Sequence, residues 1–322
     1  MNDLRKNAVT FLMEDVRRRP SPELFEEAFE SVRVDVARLT ADLEPGFVVA
    51  VCTPGRSGSV IRRFTVDPGG KVEPVVVGRH EQSDVVVTSD AAVSLRHVLL
   101  LFGVDGMHRS LVRVLDLRSP TGTVDARGVA HYSLAANGPL ALRIAESALF
   151  VIPTDGKPIG DFGAVPWTES VPWIPDEPAE QRLCEVSGIA RAPSAVSAVT
   201  RGTGLGRPIV RRKGGKRSGL LKLEAGETTF EFPVGLPSLR AGVLVGRYDR
   251  CDLSSQIVEM PETVSRVHVL VIAFDECPHV FDVGSTNGLS YESFPIRGMA
   301  LPPHQPSTLT LAPEVRLTWW PG

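Results

Sequence analysis

The residues of this chain that could do chemistry come in two matching sets. One runs Gly78-Arg79, then Ser94 with His97 three places on, then Asp116 and Gly122. The other runs Gly246-Arg247, then Ser265 with His268, then Asp282 and Gly288 at the same spacing. Each set holds a serine, a histidine and an aspartate, the residue types of a nucleophilic triad. A triad is defined by geometry and role, however, and closeness in sequence establishes neither. No Gly-x-Ser-x-Gly elbow or Walker-type phosphate loop is present, and "GTGLGR" at 202–207 follows no strand–helix unit. The second set suits holding chemistry better. Arg247 supplies a fork-shaped, permanently charged donor, Ser265 a hydroxyl donor and Arg266 a second positive charge. None of these groups has to move or titrate, so no catalytic residue is assigned.

The stretch "GSTNGLS", Gly284 to Ser290, follows the apolar run "HVFDV". Two glycines, two hydroxyls and an amide at a strand end predict a tight turn. A turn needs only one or two such residues, which leaves the rest of the polar set to be accounted for.

Short β-branched runs separated by Gly, Asp, Ser and Pro must position these groups. "FVVAVC", "SVIRRFTV", "KVEPVVVG", "HVLLLF" and "SLVRVLDL" fill the first block, which closes with "LALRIAESALFVIP". "LLKLE", "TTFEFPV", "GVLVGR", "VHVLVIAF", "TLTLAP" and "VRLTWW" fill the second. Regular short strands with turn signals predict a β-sandwich or barrel, and the two blocks align on their polar signposts as an internal repeat. Before them, residues 1–42 read as two helices around the turn "RRPSP". Ser21 is a candidate cap for the second, Pro22 suits its first position, and Leu24, Phe25, Ala28, Phe29, Val32, Val36 and Leu39 form one apolar face. Between the blocks, prolines recur and charge segregates. Asp155 to Glu185 carries seven acidic residues against Lys157 and Arg182, whereas Val186 to Leu223 carries nine basic residues and no acid. Such blocks predict a solvated linker, onto which Trp167 and Trp173 add two aromatic side chains for packing on a domain.

Composition bounds the rest. A net charge of -3 argues against a globally basic nucleic-acid binder, and the basic half of the linker lacks interleaved aromatics. The cysteines, Cys52, Cys184, Cys251 and Cys277, are far apart and form no metal-ligand pattern, which suggests reduced thiols. Glu14 and Asp15 interrupt the N-terminal apolar residues, against a signal peptide, and no uncharged apolar run reaches membrane length. These features predict a cytoplasmic protein with no cofactor or metal.

The motifs resemble the forkhead-associated (FHA) family, whose pattern is a Gly-Arg strand end, a Ser-Arg-x-His loop and a Ser-x-Asn-Gly turn. The second block carries "VLVGRYDRCDL", "VSRVHVLV" and "VFDVGSTNGLS"; the first carries "VVVGRHEQSDV", "VSLRHVLL" and "VLDLRSPTGTV". The resemblance implies a β-sandwich whose loops at one end bind phosphothreonine peptides without catalysis. It implies that Arg247 and Ser265 hold phosphate with Arg266 and Thr286 beside them. By the same resemblance, Asn287 bonds the peptide backbone, while Gly246, His268 and Gly288 support the loops. Phosphothreonine, with about two negative charges and three acceptor oxygens, matches such donors.

The first block departs from the pattern. Gly78, Arg79, Ser94, His97 and Gly122 remain, but Leu95 stands where Arg266 does, and Pro120 and Thr121 replace Thr286 and Asn287. Arg79, Ser94 and Thr121 are then a weak phosphate site at most. Losing one charge-assisted hydrogen bond costs about 1–3 kcal/mol, roughly tenfold to a hundredfold in affinity.

The sequence therefore predicts a mainly β chain: two FHA-like β-sandwiches joined by a linker, with a short N-terminal helical hairpin. The segments are 1–42, hairpin; 46–154, a first domain with a degenerate motif; 155–216, linker; and 217–322, a second domain with an intact motif. The expected role is a phosphothreonine-peptide adaptor in Ser/Thr kinase signalling, and the expected partners are Thr-phosphorylated proteins, including a kinase or its substrate. Thr168, Thr200 and Thr203 in the linker are candidates for self-recognition, and the N-terminal helices for self-association. The alternative is a phosphate-independent scaffold.

Overall fold

The computed structural model describes residues 22–40, 44–67, 71–104, 110–126, 128–154, 171–172, 217–255, 257, 259–274 and 277–322. The expected first helix, Trp167, Trp173 and the linker threonines lie outside the described residues. The chain is mainly β and forms two compact units, the first mainly of the described residues up to 172 and the second mainly of those from 217.

The first unit carries two six-stranded sheets. One has the order Val60–Thr65, Gly46–Cys52, Ser147–Pro153, Leu140–Ile144, Thr123–Asp125, Ala130–His131. The other has the order Val171–Pro172, Ser133–Ala136, Ser110–Asp116, Val98–Val104, Glu73–Gly78, Val85–Val86. "GFVVAVC" is buried along its whole length. That requires cover on both faces of its sheet, and an uninterrupted apolar run is the sequence mark of such a strand. On one side, Phe47 stacks on Phe102 at 4.4 Å between ring centroids. On the other, Val48, Ala50, Phe150 and Ile152 meet Phe25, Ala28, Phe29, Val32 and Val36 of two helices. These are α1 (Pro22–Glu30) and α2 (Arg33–Thr40).

The single helix expected from Pro22 to Leu39 is therefore corrected to two. Ser31 Oγ donates to the Ala28 carbonyl at 2.7 Å, and the Val32 N–H donates to Phe29 O, a tightened three-residue turn. A serine hydroxyl that competes for backbone groups is the local cause of the break. The apolar face survives it, because Val36 N–H resumes the helical bond to Val32 O. The linker expectation also needs one correction. Val171–Pro172 adds an antiparallel edge strand to the first unit, Val171 opposite Ala135 and Pro172 opposite Leu134.

The second unit has a six-stranded sheet ordered Thr228–Gly235, Arg217–Ala225, Val315–Pro321, Ser307–Ala312, Leu289–Tyr291, Phe294–Ile296. Its second sheet runs Val243–Val245, Val269–Phe274, Cys277–Asp282, Gly298–Ala300. A short helix, α3 (Leu236–Ala241), precedes Val243 and ends at Gly242, whose φ of 89° is left-handed. Here the long strand alternates. Leu221, Leu223 and Ala225 enter a core with Val245, Val271, Leu317 and Trp319, whereas Lys222 and Glu224 pair at 2.7 Å on the opposite face. Period-two alternation marks a sheet with one buried face. Among the described residues no helix is long and apolar enough to cross a membrane.

Candidate functional site

In the second unit, three loops meet at the end of the strand Val243–Val245. Gly246 lets the backbones approach: a Cβ there would lie 2.4 Å from the Arg266 carbonyl oxygen. Gly78 does the same in the first unit, 2.2 Å from Leu95 O. No other residue fits such a contact without moving backbone. Arg247 N–H donates to Ser265 O at 3.1 Å and Tyr248 N–H to Arg266 O at 2.8 Å. The first unit repeats this with Arg79 N–H to Ser94 O at 3.0 Å and His80 N–H to Leu95 O at 2.9 Å.

Each arginine is pinned along its edge. Arg247 Nε donates to Val264 O at 2.6 Å, and Arg79 Nε to Val93 O at 2.5 Å. The terminal guanidinium nitrogens stay available, and neither arginine has a carboxylate partner among the described residues. Exposed Arg266 likewise holds no carboxylate. The first unit has Leu95 at that place, 37% exposed, followed by half-buried Arg96.

The histidines brace the loops from within. His268 is fully buried; its Nδ1 accepts the Ser265 N–H at 3.1 Å, and its Nε2 donates to Gly288 O at 2.9 Å. His97 is placed identically, with Ser94 N–H at 3.2 Å and Gly122 O at 3.1 Å. Both ring nitrogens are thus committed to backbone, and neither histidine bonds the serine hydroxyl as a general base would. Burial holds His97 below the ordinary imidazole value, and the same desolvation pushes Asp116, 3.9 Å away, up.

The turns are built on aspartate. Asp282 accepts the Ser285 N–H at 2.7 Å and its hydroxyl at 3.0 Å. Asp116 does so with Ser119, at 2.7 and 2.8 Å, and adds Thr123 Oγ1 at 2.8 Å. Gly122 and Gly288 close these turns at φ 72° and 76°. Gly284 is also left-handed, whereas the first unit puts Arg118 there at φ 61°, its guanidinium 4.1 Å from the Tyr132 ring centroid. A non-glycine residue in that region costs on the order of 1–3 kcal/mol.

Thr286 and Asn287 are exposed at the mouth. Thr286 N–H donates to Ser265 Oγ at 2.8 Å, and the two hydroxyl oxygens lie 3.4 Å apart. Asn287 Nδ2 donates to Thr263 O of the facing loop at 2.6 Å. Sequence reasoning had assigned no role to Thr263, Val264, Asp282 or Ser285. The Asp-x-x-Ser spacing was the signal for the last two. The carbonyls of Thr263 and Val264 carry no side-chain signature at all.

No family model and no curated protein matches this chain. Solved structures do. The Rv1747 FHA-1 structure from Mycobacterium tuberculosis is similar at 21% identity and TM-score 0.25, over 33% of this chain and 98% of that one. The FHA domain of the CT664 protein from Chlamydia trachomatis is similar at 20% identity and TM-score 0.26, over 33% of this chain and 96% of that one. The MEK1 FHA domain, solved with a HOP1 phosphothreonine peptide, is similar at 25% identity and TM-score 0.24, over 32% and 96%.

Proposed function

We propose that this chain is a tandem FHA-type reader of phosphothreonine peptides, an adaptor downstream of a Ser/Thr kinase, and that its second unit is the main binding site. The observation that carries this is Arg247. Its guanidinium is fixed along one edge by Val264 O and keeps its other donors without a carboxylate partner among the described residues. A bidentate cation held in place, beside the Ser265 hydroxyl and a second cation in Arg266, fits a dianionic phosphate. The buried histidine, with both nitrogens on backbone, supports binding rather than turnover. On this reading the first unit is a diverged copy of the second, since it repeats the arginine Nε, serine N–H, histidine and aspartate–serine hydrogen bonds at matching residues.

Fluorescence anisotropy of the full-length chain against a degenerate phosphothreonine peptide library tests this. Binding is expected to need the phosphate and to be lost with Arg247→Ala far more than with Arg79→Ala. If no phosphopeptide binds, or if neither change matters, the reader assignment fails and a phosphate-independent scaffold takes its place.

A further inference from the structure

One difference between the two units at the mouth is a single backbone N–H. In the second, the Thr286 N–H donates to Ser265 Oγ at 2.8 Å and so occupies a lone pair of that hydroxyl. The hydroxyl proton is then directed away from that N–H, either to Thr286 Oγ1 at 3.4 Å or to an incoming acceptor. A hydroxyl has one proton and two lone pairs, so tying down a lone pair with a fixed donor makes the proton the free valence. The place of Thr286 is taken in the first unit by Pro120, which has no N–H to give. The Ser94 hydroxyl correspondingly has no hydrogen-bond partner among the described residues, although its backbone is held by His97 and Arg79 as tightly as that of Ser265. A second bridge is missing too. Asn287 Nδ2 spans from turn to loop onto Thr263 O, whereas the Thr121 hydroxyl in its place is buried without a partner. Neither of these two bridges, then, has a counterpart among the described residues of the first unit.

We propose that phosphate competence in this chain depends on the Thr286 N–H as a positioning group for the Ser265 hydroxyl, and that Pro120 is the residue that disarms the first unit. The inference rests on the reading of the second unit as a phosphothreonine site. Arg79, Ser94, His97 and the aspartate turn of the first unit are all in place, so beside the cation lost at Leu95 its weakness lies in hydroxyl orientation. A proline in the turn is compatible with the fold and incompatible with the bond. It silences the site without disturbing the scaffold.

The test uses the full-length chain and a phosphothreonine peptide that the wild-type protein binds. Arg247→Ala silences the second unit, and Pro120→Ala in that background restores an N–H at the first. The expected result is a gain in affinity of about tenfold or more, the worth of one such bond. That gain is expected to vanish when Ser94→Ala is added, and to exceed the gain from Thr121→Asn alone. In the second unit, Thr286→Pro is expected to weaken binding about tenfold more than Thr286→Ala does, since only the former deletes the N–H. A double-mutant cycle with Ser265→Ala separates positioning from general damage to the turn. If the N–H works through the serine hydroxyl, Thr286→Pro adds little to Ser265→Ala; additive losses overturn the idea. No gain from Pro120→Ala, in a background where Arg247→Ala has removed binding, also overturns it. If instead Arg247→Ala leaves the wild-type binding in place, the reader assignment itself has failed, and this inference with it.

Discussion

At the scale of single residues, the site combines groups that hold charge with groups that hold shape, and the two respond differently to substitution. Arg247 and Arg79 bring forked guanidinium donors to the site. Phosphothreonine titrates, with a second pKa near 6. Peptide affinity is therefore expected to fall as pH drops from about 7 to 5, because the ligand loses half its charge; an affinity flat over that range would count against a dianionic ligand. The shape residues act through stability. His97 is neutral in the fold and held below its ordinary value of 6.5 by burial. The unfolded chain thus binds the extra proton first, and the contribution of His97 is lost as pH falls below 6.5 towards its folded value. Protonation would also set an N–H at Nδ1 against the Ser94 N–H it now accepts. Thermal melts between pH 7.5 and 5.5 should show the first unit weakening, and His97→Gln should flatten that slope. Gly246→Ala is expected to damage binding without touching the ligand, because its Cβ would press on the Arg266 carbonyl and shift the loop that carries Ser265. An unchanged affinity for Gly246→Ala would show that the loop can give.

Among the elements, the helices α1 and α2 explain why the two units have strands of different texture. Phe25 and Phe29 meet Phe150 edge-on at 6.3 and 5.3 Å, and their cover makes both faces of the strand Gly46–Cys52 apolar. The second unit leaves the corresponding face to Lys222 opposite Thr318 and Glu224 opposite Arg316. Phe29, 3% exposed, is therefore a core residue of the first unit although it lies outside the sheets. Phe29→Ala is expected to destabilise that unit by about 3–5 kcal/mol, the usual loss for a buried aromatic. Chemical denaturation of the full chain would show an early transition in this variant; a midpoint like that of the wild type would mean that the helices only rest on the sheet. Helix α1 ends where Ser31 turns back on Ala28 O, a side-chain choice that helical spacing of apolar residues cannot signal.

For the whole molecule, net charge and site charge have opposite signs. The chain carries -3 overall, while the mouth of the second unit presents Arg247 and Arg266. On the proposed function, a dianionic peptide would meet a weakly unfavourable long-range field and a favourable short-range one. Raising the salt from about 0.05 to 0.5 M should reduce peptide affinity only modestly, since contacts within hydrogen-bond distance are screened far less than exposed charges a Debye length apart. A collapse of binding by orders of magnitude would point to diffuse attraction, for instance by the basic residues between Arg191 and Arg217. Matching loop hydrogen bonds occur in both units, and the details around them differ. The first unit tolerates Pro120, Leu95 and left-handed Arg118 while keeping its braces.

Much of this was legible in the residues alone. Short β-branched runs with turn signals specified sheets, because alternation and strand length are local properties. Gly-Arg, Ser-x-x-His and Asp-x-x-Ser-x-x-Gly, each met twice, specified a repeated set of loops, because only certain side chains satisfy such turns. What the sequence could not state was where backbone carbonyls and amides point. That Asn287 reaches Thr263 O, that Arg247 Nε rests on Val264 O and that the Thr286 N–H holds the Ser265 hydroxyl depend on loops about twenty residues apart in the chain. Every residue but proline carries the same backbone groups, so their pairing leaves no trace in composition or spacing. Tertiary structure decides it, and in the turn of the first unit Pro120 shows in the sequence that one such N–H is lacking.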